Sequence, residues 1–180
     1  GFKIAGEVKH VVDPMFLDLN KDGVLGTTSV SDGIYFDHEG DGFAESSAWV
    51  DKEDGVLVID KNNDGKIDNG NEVFGDNYVK LNGRKAKNGF EALADLDSNG
   101  DGKITSADSE FNNIKILKGD GTLLTLQEAG IVSINLNKTE VNKEDGNKNV
   151  LVYEGTFTYE DGSIGKLGTF NLGVDKMLSE

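Results

Sequence analysis

Short apolar runs alternate with acidic loops rich in glycine and asparagine over the first two thirds of the chain. Residues 56–59 are apolar and mostly β-branched, which predicts a buried strand. Residues 88–96 are predicted to form a helix, because Asn88 and Glu91 have the spacing of a capping box and apolar side chains recur on one face. Strand and helix signals are therefore mixed in this region.

Two further helices are predicted after the last complete acidic loop. Ala107, Phe111 and Ile114 have the i, i+4, i+7 spacing of one helical face. A shorter helix over residues 124–129 is expected to end at Gly130, since glycine is common just beyond helix C-termini.

The pattern changes beyond Gly130. Residues 131–136, 151–159 and 164–172 are predicted strands, and the Glu-Asp-Gly run at 160–162 supplies a hairpin turn between the last two. The C-terminal part is therefore expected to be rich in β-structure.

Acidic residues outnumber basic ones by 33 to 18, which gives a net charge of −15. This charge argues against nucleic acid as a partner, because phosphates are bound mainly by lysine and arginine.

Cysteine is absent, so disulfides and thiolate sites are excluded. No run approaches the roughly 20 apolar residues of a membrane span. The chain begins at Gly1 rather than at methionine, from which we expect a module of a larger protein.

The segment that begins at Asp97 has the spacing of a complete calcium loop. Such a loop of about 12 residues offers oxygens from positions 1, 3, 5, 7, 9 and 12, with glycine at position 6. The ligands predicted at positions 1, 3, 5, 7 and 12 are Asp97, Asn99, Asp101, the main-chain carbonyl of Lys103, and Asp108. The alternative is a solvated acidic turn, which the full pattern disfavours.

A second segment, which begins at Asp60, matches the same pattern through position 9. The ligands predicted at positions 1, 3, 5, 7 and 9 are Asp60, Asn62, Asp64, the carbonyl of Lys66, and Asp68. The closing acid comes one residue late, at Glu72, and Asp76 is a second candidate for that role. A strand precedes this loop, so its geometry is expected to differ from that of an ordinary EF-hand.

Two earlier segments carry only the first half of the pattern. Their predicted ligands are Asp18, Asn20 and Asp22 in one, and Asp37, Glu39 and Asp41 in the other. Each is either a simple turn or a half-site that shares an ion or borrows ligands from elsewhere. Flexible oxygen-rich loops favour Ca²⁺ over Mg²⁺, which requires stricter octahedral geometry. Calcium is therefore the predicted cofactor, and its binding is expected to be coupled to folding.

The predicted fold class is α+β, with EF-hand-like calcium loops, short helices and a β-rich C-terminal part. The predicted organisation is a lead-in segment (1–12) followed by one module (13–180). The module is expected to comprise a loop region (13–130) and a β-rich part (131–180).

The sole proline of the chain directly follows an aspartate, in the dipeptide Asp13-Pro14. The aspartate side chain can attack its own peptide carbonyl and close a five-membered cyclic anhydride. Such intramolecular attack benefits from a high effective molarity. It requires an oriented carboxyl group and a proton for the proline nitrogen. His10, His38 and a carboxylic acid with a raised pKa are candidate proton donors, although a packing role is favoured for both histidines.

Several segments together resemble a known family, the calcium-dependent self-processing module of FrpC-like repeat-in-toxin proteins of Gram-negative bacteria. The segments are DPMFLDLNKDG (13–23), YFDHEGDG (35–42), WVDKEDGVLVIDKNNDGKIDNGNEVFGD (49–76), GFEALADLDSNGDGKI (89–104) and LTLQEAGI (124–131). The resemblance implies calcium-triggered scission of the Asp–Pro bond, with Asp13 as nucleophile and Pro14 as the new N-terminus. It also implies capture of the anhydride by a lysine amine, which forms an Asp–Lys isopeptide bond. The chain departs from the family at residues 117–121, where only Lys-Gly-Asp-Gly of a further loop is present.

The leading interpretation is a single-turnover self-processing module of a secreted or cell-surface protein. Its implied partners are calcium ions and a lysine amine on the same or another protein. The alternative is a calcium-rigidified structural or adhesive module in which Asp13-Pro14 is merely a turn. A calcium sensor is disfavoured, because sensors expose a methionine-rich groove and this chain has two methionines.

Overall fold

The computed structural model describes residues 11–175, so most of the predicted lead-in segment lies outside the described residues. The regular elements in this range are mainly strands, with one short α-helix and two 3₁₀ helices. They are β1 (Val11–Val12), β2 (Met15–Leu17), β3 (Ile34–Phe36), β4 (Glu45–Ser47), β5 (Gly55–Ile59), the 3₁₀ helix Gly70–Glu72, α1 (Gly89–Ala94), β6 (Lys103–Ile104), the 3₁₀ helix Phe111–Asn113, β7 (Ile114–Lys118), β8 (Leu123–Thr125), β9 (Ile131–Asn135), β10 (Thr139–Glu144), β11 (Val150–Tyr159) and β12 (Ile164–Asp175).

Twelve strands form one antiparallel sheet. Eight of them follow the order β6-β9-β11-β12-β2-β5-β7-β8, and β1, β3, β4 and β10 pair off this path. The long strand β12 organises this sheet, because it pairs with β11 and also, along its length, with β2, β1 and β4. The hairpin predicted at 160–162 connects β11 to β12, and Gly162 has a φ of 89° there. The sheet therefore joins strands from both sides of Gly130.

Each face of the central strands buries a separate apolar core. Met15 and Leu17 of β2 pack in one core, whereas Phe16 packs in the other. In β5, Leu57 and Val58 likewise belong to opposite cores. Successive side chains of a strand point to opposite faces. A strand that is covered on both faces therefore carries a continuous apolar run, as the sequence of β5 predicts.

The α+β fold class predicted from the sequence is wrong, because the described residues are mostly β. The helix predicted over 88–96 is present as α1, where Asn88 Oδ1 accepts a hydrogen bond from Glu91 N (3.0 Å). It spans only six residues. Helices do not flank the loops on both sides as in an EF-hand: β6 interrupts the loop that follows α1, and β5 precedes the loop at Asp60.

The helix predicted around Ala107, Phe111 and Ile114 is also wrong. Residues 111–113 form a single 3₁₀ turn, and Ile114 begins β7. The side chains of Ile114 and Ile116 are buried, and Lys115 between them is partly exposed. This alternation has the period of a strand, and pairing with β5 overrides the weaker helical spacing.

The third predicted helix, over 124–129, is a strand end followed by a turn. Its first residues belong to β8, which pairs with β7. Thr125 and Glu128 form reciprocal bonds, in which each side chain accepts from the main-chain N–H of the other (2.9 Å). These are the bonds of a helix start. The chain leaves the turn at Gly130, whose φ is 76°.

Candidate functional site

The Asp13–Pro14 peptide lies between β1 and β2, and both strands pair with β12. Inside this gap Phe170 N of β12 donates a hydrogen bond to Pro14 O (3.1 Å). Proline has no N–H to donate to a strand ladder, so it fits at an interruption between two short strands. The peptide is therefore fixed from both sides by its pairing with β12.

The residue Asp13 is 8% exposed, and the Oδ1 atom of its carboxyl group has no hydrogen-bond partner in the described part of the chain. The Thr169 hydroxyl is hydrogen-bonded to this carboxyl group. Asp13 N donates to Asp76 Oδ1 (3.2 Å). Burial and then the charge of Asp76 raise the pKa of Asp13 to about 8, and the bond from Thr169 acts in the opposite direction. At neutral pH this carboxyl group is therefore mainly protonated.

Gly75 packs directly against the Asp13–Pro14 peptide. A Cβ at Gly75 would lie 2.5 Å from Asp13 O and 3.2 Å from Pro14 Cα, distances at which the neighbouring chain would have to shift. A cavity of about 10 Å³ lies beside the peptide and is lined in part by Asp76 and His38. That volume suits about one water molecule.

The two histidines considered as proton donors differ in what the structure describes. His38 Nε2 is hydrogen-bonded to Ser47 Oγ (2.8 Å), and the ring packs against Phe36 and Trp49 at centroid distances of 5.1 and 5.9 Å. These contacts favour the packing role. His10 lies outside the described residues.

The four acidic loops share one backbone geometry. The aspartate at position 1 accepts a hydrogen bond from the glycine N–H at position 6 at 2.7–2.9 Å. The aspartate at position 5 accepts from the N–H at position 7 at 2.9–3.0 Å. Positive φ angles occur at position 6 in every loop and also at position 4, which is Lys21, Gly40, Asn63 or Gly100. The two half-loops therefore fold like the first half of the complete ones.

In the loop at Asp97, three predicted ligands converge. Carboxylate oxygens of Asp97, Asp101 and Asp108 lie within 4.8 Å of one another, an arrangement suited to a metal ion. Asp108 closes the loop by accepting from the main-chain N–H groups of positions 2, 3 and 9 (2.8, 3.4 and 2.9 Å). These bonds, against the opposing effect of burial, lower the pKa of Asp108. Asn99 Oδ1 accepts from Asp101 N (3.3 Å), and Lys103 stands at position 7.

Glu72 occupies the corresponding place in the loop at Asp60. Its carboxylate accepts from the N–H groups of Lys61, Asn62 and Asp68, which are again positions 2, 3 and 9 (2.7, 3.4 and 2.8 Å). The longer glutamate side chain therefore offsets the extra residue in the loop. Asp76, the other candidate for this role, instead bonds Asp13 N.

The remaining acids of the Asp60 loop are less convergent. Its carboxylates are those of Asp60, Asp64, Asp68 and Glu72. Among the described residues, no three of these four have oxygens that all lie within 4.8 Å of one another. Asn62 Nδ2 donates to Asp68 Oδ2 (2.9 Å), and Lys66 N donates to Asp64 Oδ1.

In the loop at Asp37, a glutamate from β4 joins two predicted ligands. Carboxylate oxygens of Glu39, Asp41 and Glu45 lie within 4.8 Å of one another. Asp37 accepts hydrogen bonds from the N–H groups of Asp41 and Gly42 (3.0 and 2.9 Å), as Asp97 does from the corresponding groups of its own loop. Glu45 is thus a candidate ligand that the sequence pattern did not identify.

The loop at Asp18 also gains an acid from outside the pattern. Carboxylate oxygens of Asp18, Asp22 and Asp54 lie within 4.8 Å of one another. Asp54 accepts from Leu19 N (2.9 Å) and Gly26 N (2.8 Å), and burial is the largest cause that raises its pKa to about 6.

Comparison with known proteins identifies the family. The model of the SPM domain matches residues 15–173. The chain belongs to the SPM domain family. It is 42% identical over 179 residues to the iron-regulated protein FrpA of Neisseria meningitidis serogroup C, and the match covers 94% of this chain and 16% of that protein. The family resemblance drawn from the sequence is confirmed, and this SPM domain spans about one sixth of the relative that it matches.

The SPM domain model begins its match directly after the Asp13–Pro14 dipeptide, at Met15.

The sequence pattern did not predict Glu45 and Asp54 as ligands, because both lie outside the loop spacing, in β4 and just before β5. The run Asp-Lys-Glu-Asp-Gly at 51–55 was the available signal for Asp54, since it places acids directly before a buried strand. No helix in residues 11–175 has the length and apolar character needed to cross a membrane.

The role of Glu72 leads to a direct test. On the prediction that the loop at Asp60 binds one calcium ion, Glu72→Ala should lower the number of ions bound by one, because the loop loses its closing carboxylate. It should also lower the free energy of unfolding by about 1 kcal/mol, since partly buried main-chain N–H groups lose their acceptor. Calcium titration calorimetry and urea denaturation measure the two effects. Asp76→Ala is the comparison variant, and loss of an ion in that variant instead would assign the closing role to Asp76.

The raised pKa of Asp13 predicts a pH-dependent contribution to stability. Since its folded-state pKa of about 8 exceeds the unfolded value of roughly 3.9, the folded state binds more protons between these limits. The contribution of Asp13 to stability therefore falls as pH rises from about 4 to about 8. The side chain of Asp13→Asn stays neutral. Its free energy of unfolding should therefore rise relative to that of the unaltered chain by up to about 1.4 kcal/mol for each unit of pH.

Urea denaturation in calcium-free buffer at pH 5, 6.5 and 8 measures this difference. Asp32→Asn, at an exposed acid, is the control and should show no such trend. An Asp13→Asn difference that is the same at pH 5 and pH 8 would contradict the raised pKa.

Proposed function

We propose that this SPM domain cleaves its own Asp13–Pro14 bond when it binds calcium. The observation that carries the proposal is the Asp13 side chain, which is buried beside the peptide with one carboxyl oxygen unpartnered among the described residues. Gly75 contacts the same peptide closely and limits its movement. A nucleophile that is held in place and shielded from water is what intramolecular acyl transfer requires.

The proposed chemistry balances within the dipeptide. A carboxyl oxygen of Asp13 attacks the main-chain carbonyl carbon of the same residue, a C–O bond forms, and the C–N bond to Pro14 breaks. The products are a five-membered cyclic anhydride at Asp13 and a secondary amine at Pro14. The pKa of about 8 means that the carboxyl group carries a proton at neutral pH, and this proton is the one that the leaving nitrogen needs.

The anhydride is then opened by a nucleophile. Water gives a free C-terminal aspartate, and a lysine amine gives an Asp–Lys isopeptide bond with loss of the anhydride C–O bond. Each chain reacts once, so the domain acts as a single-turnover module. We place it in a secreted repeat-in-toxin protein, where calcium at roughly 10⁻⁴–10⁻³ M suits loops of moderate affinity.

Two short segments connect the calcium loops to the reacting bond. The three residues of strand β2 separate Pro14 from Asp18. Glu72 closes the loop at Asp60 and stands three residues before Gly75 and four before Asp76. Ions in these loops would fix both segments and so orient the Asp13 carboxyl group. Three or four calcium ions, with a charge of about +6 to +8, would also offset roughly half of the net charge of −15.

Incubation of the purified chain with Ca²⁺, Mg²⁺ or a chelator tests the proposal. Calcium alone should yield a new large fragment whose N-terminal sequencing reads Pro-Met-Phe-Leu, the residues from position 14. A chain that becomes more thermally stable in calcium but stays whole would instead support a calcium-rigidified structural module.

A further inference from the structure

Asp18 and Asp54 face each other at the end of a buried strand pair. Leu17 of β2 is paired with Gly55 of β5, so the next positions along this antiparallel pair are Asp18 and Asp54. The two residues are 4% and 1% exposed. Like charges opposite each other in a strand pair are destabilising, and burial increases that cost. Such a pair is stabilised when a cation binds both carboxylates.

Two buried oxygens at this point have no hydrogen-bond partner among the described residues. They are Asp18 Oδ1 and the phenol oxygen of Tyr159. Asp18 and Tyr159 both line one open cavity of about 520 Å³. Buried polar atoms in folded proteins nearly always have a partner. An unpartnered Asp18 oxygen in the acidic cluster, with a second unpartnered oxygen on the same cavity, therefore indicates a binding position.

Lys21 and Lys166, which line the cavity beside Asp18 and Tyr159, make other contacts. Lys166 Nζ donates to Gly23 O (3.1 Å) and forms an ion pair with Glu154 (3.3 Å). Lys21 Nζ lies over the ring of Tyr159, 4.3 Å from its centroid. Neither contact brings an ammonium group to Asp18 Oδ1. A bound metal ion remains the direct way to satisfy the cluster.

We propose that Asp18, Asp22 and Asp54 together bind one calcium ion, with Asp54 as the ligand that the half-loop at Asp18 lacks. Their carboxylate oxygens lie within 4.8 Å of one another. The main-chain N–H bonds that these groups accept leave further lone pairs on the oxygens for a metal. A cluster made only of hard oxygen donors fits calcium. This inference rests on the calcium dependence in the proposed function and assigns one of its ion sites.

Such an ion joins two strands as well as closing a loop. It links the residue after β2 to the residue before β5, which is 36 positions further along the chain at Asp54. Strand β2 begins one residue after the Asp13–Pro14 bond. The ion therefore fixes the far end of the short segment that carries Pro14.

Calcium titration calorimetry on the uncleavable Asp13→Ala chain tests the site without interference from cleavage. In that chain, Asp54→Asn and Asp22→Asn should each remove one bound ion or weaken one binding step by about tenfold or more. Asp22→Asn retains an acceptor for Val24 N, so it reports on the site even if Asp54→Asn fails to fold. Glu53→Gln, at the exposed neighbour of Asp54, should leave binding unchanged.

Unchanged ion number and affinity in Asp22→Asn, and in Asp54→Asn if that variant folds, would overturn the site. The outcome is separable from that of the proposed function. A chain that is never cleaved but loses an ion in these variants would retain the site and refute self-processing. A chain that is cleaved in calcium but keeps every ion in these variants would support self-processing and refute the site.

Discussion

Replacing Asp13 with alanine is expected to abolish calcium-triggered cleavage of the chain. The proposed nucleophile is the side chain of the residue whose own peptide bond breaks, and no other group can close the five-membered anhydride. Well-oriented intramolecular reactions reach effective molarities of about 10⁵–10⁸ M, and Asp13→Ala removes the reacting group itself, so no calcium-dependent cleavage should be detectable. Quantitative gel densitometry over a time course in saturating calcium measures the rate.

The matched control is Asp32→Ala, which removes an exposed acid outside the four loops. It should be cleaved at the rate of the unaltered chain. Calcium-dependent cleavage that persists in Asp13→Ala would show that the Asp13 carboxyl group is not the nucleophile.

Gly75→Ala is expected to slow cleavage by about 100-fold, the size of effect that a misplacement of about 1 Å has on an oriented reaction. The new Cβ would lie 2.5 Å from Asp13 O and 3.1 Å from Asp13 C, so the scissile peptide or the segment at Gly75 must shift. Overpacking should also lower the free energy of unfolding by about 1–3 kcal/mol. The cleavage rate and urea denaturation measure the two effects.

Gly146→Ala is the control for this variant, because a Cβ at Gly146 meets no atom within 4 Å. It should leave both the cleavage rate and the stability unchanged. If Gly75→Ala were cleaved as fast as the unaltered chain while still binding calcium, close packing at Gly75 would play no part in orienting the bond.

Much of the candidate site could be predicted from the sequence because its signals are local. The spacing of Asp, Asn and Gly sets the positive φ angles and side-chain bonds of all four loops, so even the half-loops adopt the expected turn. The delayed closing acid of the loop at Asp60 was likewise visible, since Glu72 stands one position beyond the regular spacing.

The parts that could not be predicted depend on contacts between distant segments. Asp54 joins Asp18 only because β5 pairs with β2, and Thr169 reaches Asp13 only because β12 pairs with β2. The fold class was wrong for the same reason. The helical spacing of Ala107, Phe111 and Ile114, for example, was overridden by the pairing of β7 with β5.

The position of Asp76 illustrates how the loop at Asp60 is connected to the Asp13–Pro14 bond. The sequence offered it as a ligand, whereas in the structure its carboxylate accepts from Asp13 N. Its negative charge, together with burial, favours the protonated form of the Asp13 carboxyl group. Movement of the Glu72 loop on calcium binding would therefore change the surroundings of Asp13 through residues 73–76.

Intact-mass spectrometry of the chain after calcium addition, in the presence of an excess of Nα-acetyl-lysine amide, tests anhydride-mediated self-cleavage most directly. The expected products are residues 14–180 and residues 1–13, the shorter piece partly joined to the added amine through Asp13. The adduct requires an activated acyl group, which direct hydrolysis by water does not form. A chain that keeps its full mass in calcium, or a 1–13 piece that never gains the amine, would contradict the proposed mechanism.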